Sequence, residues 1–189
     1  MERLLRAIKK EGRYLGRGIL KVDSFINHQI DPAMMVEIGH ELARRFMPLA
    51  PTKVLTAEVS GIAPAIATAM VLGVPVIFAR KSKPVTMPEV VYHTQAPSHT
   101  KGRLVDLMVS PEVLGSNERV LIVDDFLASG LTLKALAEIV KMSGSELCGF
   151  GVIIEKSFEE GRTLLSAFGV PIESLAVITK MSDEGIECD

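Results

Sequence analysis

The sequence predicts an α/β fold, a largely parallel central β-sheet flanked by helices. Three observations predict it. Short apolar runs of strand length alternate along the chain with segments of helical periodicity. Residues 53–79 read as a β-α-β unit whose strands are almost continuously apolar, the pattern of strands covered on both faces of a sheet. A third apolar run, Val120-Leu121-Ile122-Val123, ends in two carboxylates and a loop of small residues that opens a further helix.

The first eleven residues place Leu4, Leu5 and Ile8 on one helical face among Arg3, Arg6, Lys9 and Lys10, which predicts a surface helix packed on the body. Glu2 and Glu11 interrupt the basic run and no apolar segment follows, so a targeting peptide is not expected. Asp31 as N-cap and Pro32 in the first turn start a helix that runs to about Phe46, with Met34, Met35, Ile38, Leu42 and Phe46 facing inward. The β-α-β unit follows as a strand over 53–58, an Ala-rich helix over 62–72 with Pro64 in its first turn and Gly73 at its end, and a strand over 75–79. Beyond Arg80 and Lys81, about twenty residues to Thr100 hold Pro88, Pro97 and little periodicity, and a loop that long inside a compact domain is a lid or unstructured. Strands are then expected over 103–109 and 119–125, a helix over 131–142, a strand over 146–155, a helix over 159–168 that Gly169 ends, and a last strand over 170–178.

Composition narrows the function. A chain of 189 residues, 48% hydrophobic, buries enough surface to fold as one domain without disulfide or metal staples. Lys and Arg number 21 against 23 for Asp and Glu, a net charge of −2, so there is no global field for a polyanion and no nucleic-acid partner is expected. The 21 uncharged residues over 59–79 are long enough to suggest a membrane span, but Ser60-Gly61, Pro64 and Gly73-Val74-Pro75 break them into two elements. No membrane is expected. Cys148 and Cys188 lack metal or redox spacing and read as free thiols of a cytoplasmic protein.

Ligands of parallel sheets bind at the carboxyl ends of the strands, which directs attention to the loops after Glu58, Ala79, Asp125 and Glu155. In Ala128-Ser129-Gly130-Leu131-Thr132, small residues ahead of a helix let backbone N–H groups close around an anion, and the two hydroxyls add donors. This is a phosphate pocket. Asp124 and Asp125 just before it are suited to sugar hydroxyls or to waters on a hard cation such as Mg²⁺. The acidic pair alone would mark only a strand end ahead of a capped helix; the Gly-x-Thr downstream turns it into a ligand site. Neither a Walker A loop nor a dinucleotide-binding glycine motif occurs.

The run VLIVDDFLASGLT, 120–132, resembles the phosphoribosyl diphosphate (PRPP) motif of the type I phosphoribosyltransferases. Similarity extends over nearly the whole chain: LKVDSFINHQIDP (20–32), TAEVSGIAPA (56–65), GVPVIFARK (73–81), IIEKSFEEGR (153–162) and ESLA (173–176) resemble the purine-using members of that family, the bacterial xanthine-using branch above all. The resemblance implies a type I phosphoribosyltransferase fold as a single domain over 1–189, with a small N-terminal hood at about 1–31 and a long flexible lid at about 83–100. It implies transfer of the phosphoribosyl group of PRPP to xanthine, with Mg²⁺ bound alongside PRPP, in a homodimer.

Carried over residue by residue, Ala128, Ser129, Gly130, Leu131 and Thr132 would hold the 5-phosphate. Asp124 and Asp125 would face the ribose hydroxyls. Ser60 and Gly61, after Val59, would form the pyrophosphate loop, and Arg80 and Lys81 would neutralise the departing pyrophosphate. Leu20, Asn27 and Lys156 would receive the purine, with Phe158 beside them. Enzymes for hypoxanthine and guanine carry a candidate base in the phosphate loop where this chain has Ala128, which leaves Glu58, a bound water or an already anionic purine. His93 and His99 read as solvent-facing. Competing readings are a phosphoribosyltransferase for adenine or for hypoxanthine and guanine, and a PRPP-sensing regulator, which would need a nucleic-acid surface that this composition lacks.

Overall fold

A computed structural model describes residues 1–97 and 104–189. His99 and the far end of the expected lid lie outside the described residues. The centre is a six-stranded sheet of order β10-β9-β8-β7-β3-β4, built from β3 (Lys53–Ala57), β4 (Val76–Ala79), β7 (Arg119–Leu127), β8 (Glu146–Lys156), β9 (Ile172–Ser182) and β10 (Gly185–Cys188). All neighbours pair in parallel except the edge strand β10, which folds back antiparallel on β9.

Strand β7 shows why the apolar runs carry no alternation: Leu121 and Val123 pack into the core of one face, Val120 and Ile122 into that of the other. Both faces are covered. The helices α1 (Glu2–Glu11), α2 (Pro32–Phe46) and α3 (Ile62–Leu72) supply the first core through Leu4, Ile8, Ile38, Leu42, Phe46 and Ala65. Helix α4 (Leu131–Ser143) supplies the second through Leu133, Leu136, Ile139 and Val140. Asp31 caps α2, its Oδ1 accepting the N–H groups of Ala33 at 3.0 Å and Met34 at 3.1 Å. Gly73 ends α3 in the left-handed conformation, φ 70°, that glycine adopts without strain.

The structure departs from the expected elements in four places. The segment after Lys81 is not loop throughout: β5 (Tyr92–Pro97) pairs antiparallel with β6 (Leu104–Val109), and His93 faces Asp106, Nε2 to Oδ1 at 2.8 Å. The helix expected over 159–168 is confined to α5 (Gly161–Ser166). The last strand continues to Ser182 and turns into β10. In the hood, β1 (Arg13–Tyr14) and β2 (Leu20–Lys21) form a small hairpin followed by a π-helical turn, Asp23–Asn27. Among the described residues no helix is long and apolar enough to cross a membrane.

Candidate active site

The carboxyl ends of β3, β4, β7 and β8 lie side by side in the sheet and bring the predicted segments together. Beyond β3, the peptide bond Glu58–Val59 is cis, and Ser60 and Gly61 lead into α3. Gly61 is held against Thr56 and Asp124. A Cβ there would stand 2.1 Å from Thr56 Oγ1 and 2.4 Å from Asp124 Oδ1, so only glycine fits. The Thr56 hydroxyl is fully buried with no hydrogen-bond partner among the described residues, a polar atom left for a ligand or its water.

Asp124 and Asp125 are both buried, in the second half of β7 rather than at its end, since the strand continues to Leu127. Their carboxylates turn back onto the chain: Asp124 Oδ1 accepts the N–H of Asp125 and Asp125 Oδ1 that of Phe126, each at 3.0 Å. Burial first, and then the neighbouring Asp125, push the Asp124 carboxyl well above the usual range, while the charge of Lys81 pulls the other way.

The loop from Ala128 to Gly130 opens α4, with Gly130 left-handed at φ 76°, and the N–H of Leu131 reaches Ser129 Oγ at 3.5 Å. At the end of β4, Arg80 is stitched to β6 by a pair of backbone hydrogen bonds with Met108 at 2.9 and 3.0 Å. Glu58 places the cationic pair: Oε1 accepts the backbone N–H of Lys81 at 2.7 Å, and Oε2 pairs with Arg80 Nε at 3.0 Å. Both of its oxygens are engaged. Glu58, weighed from sequence as a proton acceptor, thus stands between the Lys81 backbone and the Arg80 guanidinium, a contact invisible without the tertiary structure.

At the end of β8 the Lys156 side chain reaches the hood. Its Nζ donates to Gly18 O at 2.7 Å, lies 3.5 Å from Glu159 Oε1, and stands 5.6 Å from the centre of the Phe126 ring. Leu20 is buried, and Phe126 is partly buried against the same core. Asn27 ends the π-helical turn with its side chain exposed, and Phe158 is half exposed. The structure thus gathers a phosphate-type loop, a buried acid pair, a cationic pair and a partly buried lysine along one edge of the sheet.

Residues 29–177 match the family model for the phosphoribosyl transferase domain. The chain belongs to the phosphoribosyltransferase family. Among its members, the xanthine phosphoribosyltransferase of Deinococcus deserti is 54% identical over 185 residues, 98% of this chain and 96% of that one. That of Brevibacillus brevis is 49% identical, covering 98% and 95%. Among solved structures, the adenine phosphoribosyltransferase of Trypanosoma brucei, in complex with AMP, pyrophosphate and ribose-5-phosphate, superposes with a TM-score of 0.78 at 21% identity, covering 96% of this chain and 82% of that one. That of Thermoanaerobacter pseudethanolicus gives 0.74 at 23%, covering 93% and 98%. These two likenesses show that the phosphoribosyltransferase fold is shared.

Proposed function

We propose that this phosphoribosyltransferase transfers the 5-phosphoribosyl group of PRPP to xanthine, giving xanthosine 5′-monophosphate and pyrophosphate in purine salvage. The observation that carries it is full-length identity of up to 54% to xanthine phosphoribosyltransferases, on a chain whose sheet edge holds a complete set of groups for that chemistry.

Ala128, Ser129, Gly130, Leu131 and Thr132 take the 5-phosphate through backbone N–H groups at the start of α4. Asp124 and Asp125 face the ribose hydroxyls. As the bond from ribose C1 to pyrophosphate breaks, positive charge grows on the sugar and negative charge on the leaving group. Arg80 and Lys81, held by Glu58, stabilise the latter where it develops, together with the backbone of Ser60 and Gly61. On the purine side, Leu20 and Phe126 pack against the ring, and Lys156 exchanges Gly18 O for an oxo group of the base. Asn27 serves the second oxo group. Adenine would bring an amine donor to Lys156 in place of an acceptor, a mismatch that costs affinity.

Magnesium belongs to the same proposal. Among the described residues no three acidic, histidine or cysteine side chains are grouped so that they could hold a metal ion. Asp124, Asp125 and the Thr56 hydroxyl, which has no partner among the described residues, would suit a hydrated hard cation accompanying PRPP, the acid pair accepting from its waters. When bound, the ion neutralises pyrophosphate charge. Segment 83–100, part strand, serves as the lid that keeps water from the cationic sugar. We place the enzyme in the cytoplasm as a homodimer; its two cysteines are free and buried, as a reducing compartment allows.

Purine-dependent release of pyrophosphate from PRPP, measured across xanthine, guanine, hypoxanthine and adenine, tests the function. Turnover is expected with xanthine at the highest kcat/KM. A preference for adenine would overturn the role of Lys156, and no turnover with any purine would overturn the enzyme.

A further inference from the structure

Of the segment 155–162, only Lys156 enters the function proposed above. The residues around it converge on the phosphate loop. Glu155 is buried, 2% exposed, in register beside Leu127, the last residue before that loop. Arg162 grips it with a two-pronged fork, Nε to Oε1 at 2.6 Å and Nη2 to Oε2 at 2.5 Å, and Ser174 Oγ donates to the same Oε2 at 2.5 Å. A further bond, Arg162 Nη1 to Ile172 O at 3.2 Å, ties the guanidinium to β9. Burial raises the affinity of Glu155 for a proton, but Arg162 and then Ser174 outweigh it and hold the carboxyl below its ordinary range. The fork is a charged one, anchored on β8 through Glu155 and on the neighbouring β9 through Ile172 and Ser174.

What the fork fixes is Gly161, the residue before Arg162. Its N–H donates to Ala128 O at 2.9 Å. A Cβ on Gly161 would stand 2.2 Å from that same oxygen and 2.9 Å from Gly130 N, and a Cβ on Gly130 would stand 2.9 Å from Gly161 Cα. The two glycines meet back to back with no room for a side chain on either.

We propose that Glu155, Arg162 and Gly161 form a strut behind the phosphate loop, acting as positioning residues for the 5-phosphate of PRPP. Backbone N–H groups stabilise an anion only where they point, so an error of a fraction of an ångström in the loop is felt by the ligand. The strut starts from the residue next to Lys156, so one segment reaches the purine side with Lys156 and the phosphate side with Gly161. Its role rests on the reading of 128–132 as the 5-phosphate site.

Two variants approach the strut from opposite ends. Arg162→Lys keeps a positive charge beside the buried Glu155 but loses the fork. Gly161→Ala keeps the fork and crowds Ala128 O. Titration with ribose 5-phosphate reads the loop without turnover, alongside KM for PRPP, KM for xanthine and Tm. In both variants the ribose 5-phosphate Kd and the PRPP KM should rise about tenfold, out of proportion to any fall in Tm, with KM for xanthine close to wild type. Variants that bind ribose 5-phosphate as tightly as wild type, or that lose it only in step with xanthine and Tm, overturn the strut and leave the loop assignment standing. A wild-type protein that fails to bind ribose 5-phosphate overturns the loop assignment, and the strut with it.

Discussion

Asp125 and Asn27 occupy opposite ends of the proposed site, one buried in β7 beside the phosphate loop and the other exposed on the hood. Their substitutions should therefore separate. Asp125→Asn keeps the volume but removes a charge that faces the sugar common to every reaction, so kcat/KM should fall by about a hundredfold for every purine alike. Asn27→Ala touches only the base, so it should leave the PRPP KM nearly unchanged and narrow the preference for xanthine over guanine and hypoxanthine by about tenfold. Steady-state kinetics with the four purines check both, and the reverse pattern would exchange the two halves of the site. Most of these residues were legible in the sequence because their chemistry is local. The acid pair, the small-residue loop and the Arg80-Lys81 pair are each contiguous in the chain. The contact of Glu58 was not, because it is made with the backbone N–H of Lys81, 23 residues away, brought to 2.7 Å by the parallel pairing of β3 and β4. The close approach of Gly161 to Gly130 was hidden for the same reason.

At the scale of elements, α2 carries a titratable device that is independent of the site. Glu41 accepts two hydrogen bonds from Arg44, at 2.9 and 2.8 Å, and one from Arg45 at 2.8 Å, and Arg45 continues to Glu173 on β9 at 2.8 Å. Arg44 first and then Arg45 hold the Glu41 carboxyl down to about 2, against 4.5 without them. A depressed carboxyl means that the unfolded chain binds the proton more tightly. The stability it confers is present above pH 4.5 and is lost as pH falls towards 2. The pairs lie at the surface, so the effect is about 1 kcal/mol or less. Thermal unfolding from pH 7 to pH 2 should show Glu41→Gln with a lower Tm at neutral pH and a shallower decline through that window; parallel curves would deny Glu41 the linkage. Helix α2 was legible throughout, since its cap, its proline and its apolar stripe lie within one segment. Of the antiparallel pair β5-β6 only β6 was, since the apolar run over 103–109 predicts a strand there. Strand β5 turns His93 and Gln95 to solvent and finds its polar partner, Asp106, on β6. The strands of the hood hairpin are two residues each, too short for any periodicity.

The whole molecule leaves one face of its sheet assembly unfinished. Helix α3 has no charged residue from Ile62 to Leu72, the composition of a helix covered on every side. Its inner side packs through Ala65 and Ala69 into the core, yet Met70 is 78% exposed and Ile66 46%. With Ile30 and Val36 they line a cleft of about 430 Å³ between α2 and α3. Of its lining only His40 can carry a charge, and on α2 Glu37 is matched by Arg3 and Glu41 by Arg44, so the face has little net charge to repel an identical one. A two-fold contact requires that self-complementarity, because each residue meets its own neighbourhood on the partner. In a homodimer built on this face, the uncharged stretch that resembles a membrane span would be accounted for on both sides, the sheet covering one side of α3 and the second copy the other. Placing a carboxylate at the centre of this face would bury two like charges across the axis. Light scattering behind a sizing column should give a dimer for the wild-type protein and a monomer, with an unchanged circular dichroism spectrum, for Met70→Glu. A Met70→Glu protein that remains a dimer would move the interface off α3. A wild-type monomer would refute the homodimer itself.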